Sequence, residues 1–193
     1  DFHNLYKELL NFCTVDLSAF YFDIRKDCLY CDPQDSKKRQ SSILLLKVIL
    51  SSLLRWFAPI LSFTTEEIFQ LMSKEKSIHL QNFPDFPNKF ENLELNDKWN
   101  KLLKIRDVCN LSIEEKRASK VIGSSLEAEL LIKLNKEMLE LTKEIDLSEL
   151  CITSSVDIKE NNTEDILVET KKAKGKKCPI CWKINDKPCP RHN

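Results

Sequence analysis

Gln40-Ser41-Ser42-Ile43-Leu44-Leu45-Leu46-Lys47-Val48-Ile49-Leu50-Ser51-Ser52-Leu53-Leu54-Arg55-Trp56-Phe57 decides the architecture. The stretch is apolar almost all round, which predicts a helix at the centre of a bundle. Its apolar core, Ile43 to Leu54, is interrupted by Lys47 and two serines and is too short to cross a bilayer. Pro59 stops it. Upstream, Phe2, Leu5, Tyr6, Leu9, Phe12, Cys13, Leu17 and Phe20 recur three and four apart, predicting an amphipathic helix from Phe2 to about Tyr21. The charged stretch Asp23 to Arg39, broken by Pro33, reads as a turn. Downstream, Thr64-Thr65-Glu66-Glu67 reads as a capping box opening a helix to about Met72. Ser77 to Phe90 is rich in Phe, Pro and Asn and reads as an irregular connection. Asn96 is the expected N-cap of a long helix reaching about Lys120, with Gly123 placed to end it in a left-handed conformation.

Beyond Gly123 the periodicity changes. Leu126 to Leu134 and Leu150 to Ile158 are short β-like runs around a small helix, Lys136 to Glu144, and Ile166 to Val168 is a further candidate strand. The reading is therefore mainly α: a helical domain over residues 1–122, a small α+β subdomain over 123–169, and a basic linker with a cysteine-rich tail over 170–193. There is no internal repeat.

The composition, 42% hydrophobic and 31% charged, suits a soluble globular chain. Only two glycines occur, which excludes glycine-rich phosphate loops. Net charge is zero but unevenly spread. The last 24 residues carry +7, from eight basic residues against Asp186, and the preceding 169 carry −7. A basic tail on an acidic body is a footprint of nucleic-acid contact, and equally of a solvated lysine linker. No charged-then-apolar leader opens the chain, so a reducing cytoplasmic setting without a membrane is expected.

Eight cysteines are present, and three crowd into the last sixteen residues. Cys178-Pro179-Ile180-Cys181-Trp182 is followed, with seven residues between Cys181 and Cys189, by Cys189-Pro190-Arg191-His192. Two sulfurs from one C-x-x-C turn reach a single ion, and the second pair can swing round to complete a tetrahedron. A Cys3His zinc site on Cys178, Cys181, Cys189 and His192 is the expectation. The competing reading is a redox C-x-x-C, which would ordinarily open a helix in a βαβ setting that the tail lacks. So short a tail cannot bury a core, and the metal would supply its folding free energy. Trp182 would either cover the site or offer a face to a base. His3 and His79 read as surface or packing residues. Leu71-Met72-Ser73-Lys74-Glu75-Lys76 has a superficial likeness to a class I synthetase nucleotide loop. It lacks the leading lysine and the nucleotide-binding fold, and no catalytic centre is expected.

Four segments carry a family likeness. Asp16-Leu17-Ser18-Ala19-Phe20-Tyr21-Phe22-Asp23-Ile24-Arg25-Lys26-Asp27 resembles the opening of the anticodon-binding bundle of isoleucyl-tRNA synthetases. Leu54-Arg55-Trp56-Phe57-Ala58-Pro59-Ile60-Leu61-Ser62-Phe63-Thr64 resembles that domain's central helix. Lys120-Val121-Ile122-Gly123-Ser124-Ser125-Leu126-Glu127-Ala128 is similar to the junction that follows, and the tail resembles the family's terminal zinc module. Their order along the chain is the family's order. The tail departs from the family in its short spacer and in ending on His192 where a second C-x-x-C is usual.

The resemblance implies a tRNA-binding part of a monomeric enzyme that joins isoleucine to its tRNA. ATP and Mg²⁺ would serve catalytic and editing domains lying upstream. Expected RNA contacts are Arg25, Lys26, Arg55, Trp56, Arg106, Arg117, Lys120, Lys176, Lys177 and Trp182, with Arg106, Asn110, Ile113 and Arg117 forming one helix stripe. The competing class is a zinc-stabilised protein-interaction bundle without an RNA role.

Overall fold

The computed structural model describes residues 1–192, Lys89 by its backbone only. The helices are α1 (Phe2–Asn11), α2 (Asp23–Cys31), α3 (Lys37–Phe57), α4 (Ser62–Met72), α5 (Leu93–Ala118), α6 (Lys136–Thr142) and α7 (Leu147–Leu150). The strands are β1 (Ala128–Leu134), β2 (Ser155–Glu160), β3 (Leu167–Lys172), β4 (Lys176–Lys177) and β5 (Ile184–Asn185). Asp1 caps α1 by accepting from the His3 N–H, and a π-helical stretch, Phe12–Phe22, carries the rod on into α2. The charged residues after Asp23 are therefore helical, not a turn, and the break falls after Cys31. Pro33 and the N-cap Ser36 then set the start of α3.

Two compact units result: residues 1–27 with 92–193, and residues 28–91. These units do not follow the linear ranges 1–122, 123–169 and 170–193, because α5 builds one core with the small sheet beyond it.

In the first unit, Leu102, Ile105, Cys109 and Ile113 of α5 recur at helical spacing and are buried. They meet alternate residues of β1, Ala128, Leu130, Ile132 and Leu134, all fully buried, together with Ile24 of α2. β1 is the central strand in the order β2-β1-β3, parallel to β2 and antiparallel to β3. The Ser112 and Thr170 hydroxyls, 2.7 Å apart, fasten α5 to β3. Buried Cys109 has its thiol pushed up by its hydrogen bond with Cys151 and by burial, so both cysteines serve as packing residues.

Three expected caps are corrected. Asn92, not Asn96, caps α5 by accepting from the Leu95 N–H. The helix ends in a Schellman motif whose left-handed residue is Lys120 (φ 58°), with Val121 N donating to Lys116 O and Lys120 N to Arg117 O. Gly123 lies outside that motif and donates its N–H to Glu127 Oε2. Leu61 precedes α4, and the Thr64–Glu67 box does not form. Glu66 turns instead to the Ser77 hydroxyl (2.8 Å) and the Ile78 N–H (2.9 Å), with the Ser77 bond the main cause of its lowered pKa.

In the second unit, Leu54, Ala58, Phe69 and Ile78 form a small core between α3, α4 and the turn Ile78–Leu80. α3 is not buried at a bundle centre. Ile43, Leu44, Leu45 and Val48 are exposed, because α4 and that turn cover only one flank. By length and composition alone α3 is long and apolar enough to cross a membrane, although Lys47 and Arg55 interrupt the apolar stretch.

Candidate metal centre and nucleic-acid surface

β4 and β5 pair antiparallel as the stem of a knuckle, with Lys176 opposite Asn185 and Lys177 opposite Ile184. Gly175 opens it at φ +116°, where a Cβ would lie 2.2 Å from the Asn185 carbonyl oxygen, so only glycine fits. The C-x-x-C turn closes through Trp182 N to Cys178 O (3.0 Å) and Cys178 N to Lys183 O (2.9 Å). This turn forces Trp182 to φ +64°, a conformation unfavourable for a side chain of that size.

The four expected ligands converge. Their donor atoms all lie within 4.8 Å of one another. Cys178 Sγ and Cys189 Sγ are each 3.5 Å from His192 Nδ1, and Cys181 Sγ is 3.8 Å from Cys189 Sγ. Sulfurs about 2.3 Å from a central ion stand roughly 3.8 Å apart in a tetrahedron, and sulfur to nitrogen roughly 3.5 Å. The sulfur spacing is far too long for a disulfide. Cys178 and Cys181 are buried, and the N–H groups of Cys181 and Ile180 help draw the Cys178 thiol down to about 6. Burial pushes Cys181 up to about 11. Donor number, softness and spacing all fit a four-coordinate metal.

The knuckle is docked on the first unit. Lys183 Nζ reaches the Ser148 hydroxyl (3.2 Å), Ile184 N donates to Ser154 Oγ (2.6 Å), and Arg191 pairs with Asp27 (2.6 Å). Asp146 caps α7 and sits behind Ser148. Although burial opposes its charge, the Ser148 hydroxyl, the Glu149 N–H and nearby Lys183 hold its carboxyl below the ordinary value. Sequence reasoning missed Asp27, Ser148 and Ser154, whose partners lie 30 or more residues away. Gly175, a lone glycine in a lysine run, was the available signal.

Trp182 is 58% exposed, and Lys177 Nζ stands 5.6 Å from the ring centroid. Lys176 is exposed beside it.

The other expected RNA residues are scattered. Arg25 Nη1 is bound to Glu149 (2.9 Å). Arg106 donates from Nε to Leu150 O (3.0 Å), reaches Asp23 at 3.5 Å and stacks 5.5 Å from the Phe20 ring centroid. Arg25 Nη1 and Arg106 Nε both hold α7, while the buried Arg25 Nε has no hydrogen-bond partner among the described residues. With Ile113 also buried, the 106/110/113/117 stripe is not a solvent-facing row. Lys26 pairs with Asp23 and Arg117 with Glu114, both at the surface, while Lys120 is exposed. Arg55 bonds back to Ser51 O (2.9 Å) and to the Ser51 hydroxyl, and Trp56 tilts against Phe86 at 6.2 Å.

Residues 1–132 match the anticodon-binding domain of tRNA ligases, and the chain belongs to that family. Among its relatives, the isoleucine–tRNA ligase of Pelagibacter ubique (strain HTCC1062) is 64% identical over the whole chain. That of Methylacidiphilum infernorum (isolate V4) is 41% identical over 96% of it, and that of Bartonella henselae 38% over 95%. The chain spans about a fifth of the length of these relatives, 20–21%.

Proposed function

We propose that this chain is the tRNA-recognition part of an isoleucine–tRNA ligase, holding the anticodon stem-loop while catalytic and editing domains elsewhere in a monomeric, cytoplasmic enzyme use ATP and Mg²⁺ to charge the tRNA. The observation that carries this reading is likeness to isoleucine–tRNA ligases along the entire chain, knuckle included. The same likeness speaks against the protein-interaction alternative.

In this reading Cys178, Cys181, Cys189 and His192 hold one zinc. The metal's role is structural, fixing the turn that presents Trp182. Three thiolates and a neutral imidazole leave the site near −1, which the surrounding lysines offset. Trp182 with Lys176 and Lys177 forms the tail's RNA face: cations take phosphate, and the indole stacks on an unpaired base. Among the described residues Lys172, Lys174, Lys176, Lys177 and Lys187 have no carboxylate partner, whereas Lys171 pairs with Glu169 and Arg191 with Asp27. Arg25 and Arg106 position α7 and do not meet RNA directly. Arg55, Trp56, Lys26, Arg117 and Lys120 remain as helical-domain contacts.

A salt titration of isoleucine-tRNA binding tests the tail. Replacing Lys174, Lys176, Lys177 and Lys187 with Gln is expected to flatten log affinity against log salt by about 2, if three of the four meet phosphate at roughly 0.7 each. Trp182→Ala is expected to weaken binding about 5- to 100-fold with an unchanged slope. Unaltered slope and affinity in both variants would remove the tail from the RNA surface.

A further inference from the structure

Beside α3, in the second unit, lies a groove of about 540 Å³ lined by Lys47, Ser51, Arg55, Asn82, Phe83 and Phe86, among others. Lys47 and Arg55 are two turns apart on the helix, so they bracket the groove at a separation of about 12 Å along the axis. Neither has a carboxylate partner among the described residues. No acid lines the groove, although Asp85 lies on the same segment.

The opposite wall is aromatic. Phe83 is 64% exposed, and Phe86 stands in a row between Trp56 (6.2 Å) and Phe90 (6.5 Å). The exposed Asn82 amide supplies a donor and an acceptor between the two walls, while Ser51 is engaged by Arg55 and buried Ser52 donates to the Val48 carbonyl. An exposed phenylalanine costs free energy in water and gains it beneath a flat ring. Cations at both ends with a stacking face and an amide between them suit a nucleotide whose base is unpaired. A duplex would present phosphates to Lys47 and Arg55 but could not lay a base on Phe83.

We propose that this groove is a binding site for a single unpaired nucleotide of RNA, with Lys47 and Arg55 on the flanking phosphates and Phe83 under the base. The inference rests on the tRNA reading above and gives it a second, zinc-independent contact.

The test uses the full chain with two probes, an isoleucine-tRNA anticodon stem-loop and a blunt duplex of the same stem. The exposed side chains are changed singly, Phe83→Ala and Lys47→Gln, with far-UV spectra checking the fold. Phe83→Ala is expected to weaken stem-loop binding about 5- to 100-fold and leave duplex binding unchanged. Lys47→Gln is expected to reduce the salt slope by about 0.7. If the wild type binds the stem-loop and both variants bind equally well, the groove assignment falls while the tRNA reading stands. If the wild type binds neither probe, both fall. Equal losses on stem-loop and duplex, or displacement of the stem-loop by poly-glutamate that Phe83→Ala abolishes, would overturn the nucleotide site in favour of a plain cationic surface or an acidic-peptide groove.

Discussion

One zinc per chain, and a knuckle that unravels without it, is the expected result of elemental analysis followed by chelation. The stem β4–β5 has only two residues on each side, and the turn it carries holds Trp182 in a left-handed conformation. Neither hydrophobic burial nor strand pairing can fold so small a piece. Structural zinc supplies about 10–16 kcal/mol in comparable peptides near neutral pH, enough to offset both the strain and the chain entropy. Cys181→Ser removes a buried ligand and is expected to abolish stoichiometric zinc. It should also expose the Ile184 amide to rapid exchange as its bond to Ser154 Oγ is lost. The helical far-UV signal should stay almost intact, because every helix lies before the tail. Zinc-free protein with an ordered, exchange-protected tail would contradict the metal centre.

Arg106→Ala is expected to destabilise the first unit by about 2 kcal/mol, read as a fall in the urea midpoint. The Arg106 side chain is only 13% exposed. Its Nε satisfies the Leu150 carbonyl at the end of α7, its terminal nitrogen approaches Asp23, and its plane lies over Phe20. Removing it leaves a carbonyl unpaired and a cavity beside the core. Breaking a fully buried pair costs more, and partial exposure of Asp23 reduces the figure. Because α7 also carries Ser148, the loss should loosen the knuckle's docking. Arg106→Lys keeps the charge but not the fork and is expected to recover less than half the loss. A variant as stable as the wild type, with tRNA affinity alone reduced, would return Arg106 to the RNA surface.

Local chemistry was legible in the sequence and distant pairing was not. The cluster of Cys178, Cys181, Cys189 and His192 could be read because each C-x-x-C or C-x-x-H closes within one turn. The buried face of α5 could be read because Leu102, Ile105 and Cys109 repeat at helical period. Arg25 and Arg106 looked like phosphate contacts because their partners, Glu149 and Leu150, lie 124 and 44 residues away. The helix through Asp27 looked like a turn because its charges hide the continuity of the rod. Gly123 looked like the helix stop because a glycine is the ordinary left-handed residue, yet Lys120 takes that conformation. The glycine that geometry demands is Gly175. Lys47 and Phe83 were overlooked because nothing in linear sequence places residues 36 apart on one groove.

The most direct test of the central claim is a chemical footprint of isoleucine tRNA bound to the zinc-loaded chain. Protection confined to the anticodon loop and its adjoining stem, lost when the loop is replaced by an unrelated one, is the result expected of an anticodon-recognition part. Protection of the acceptor stem instead, or binding indifferent to the loop's sequence and structure, would contradict it.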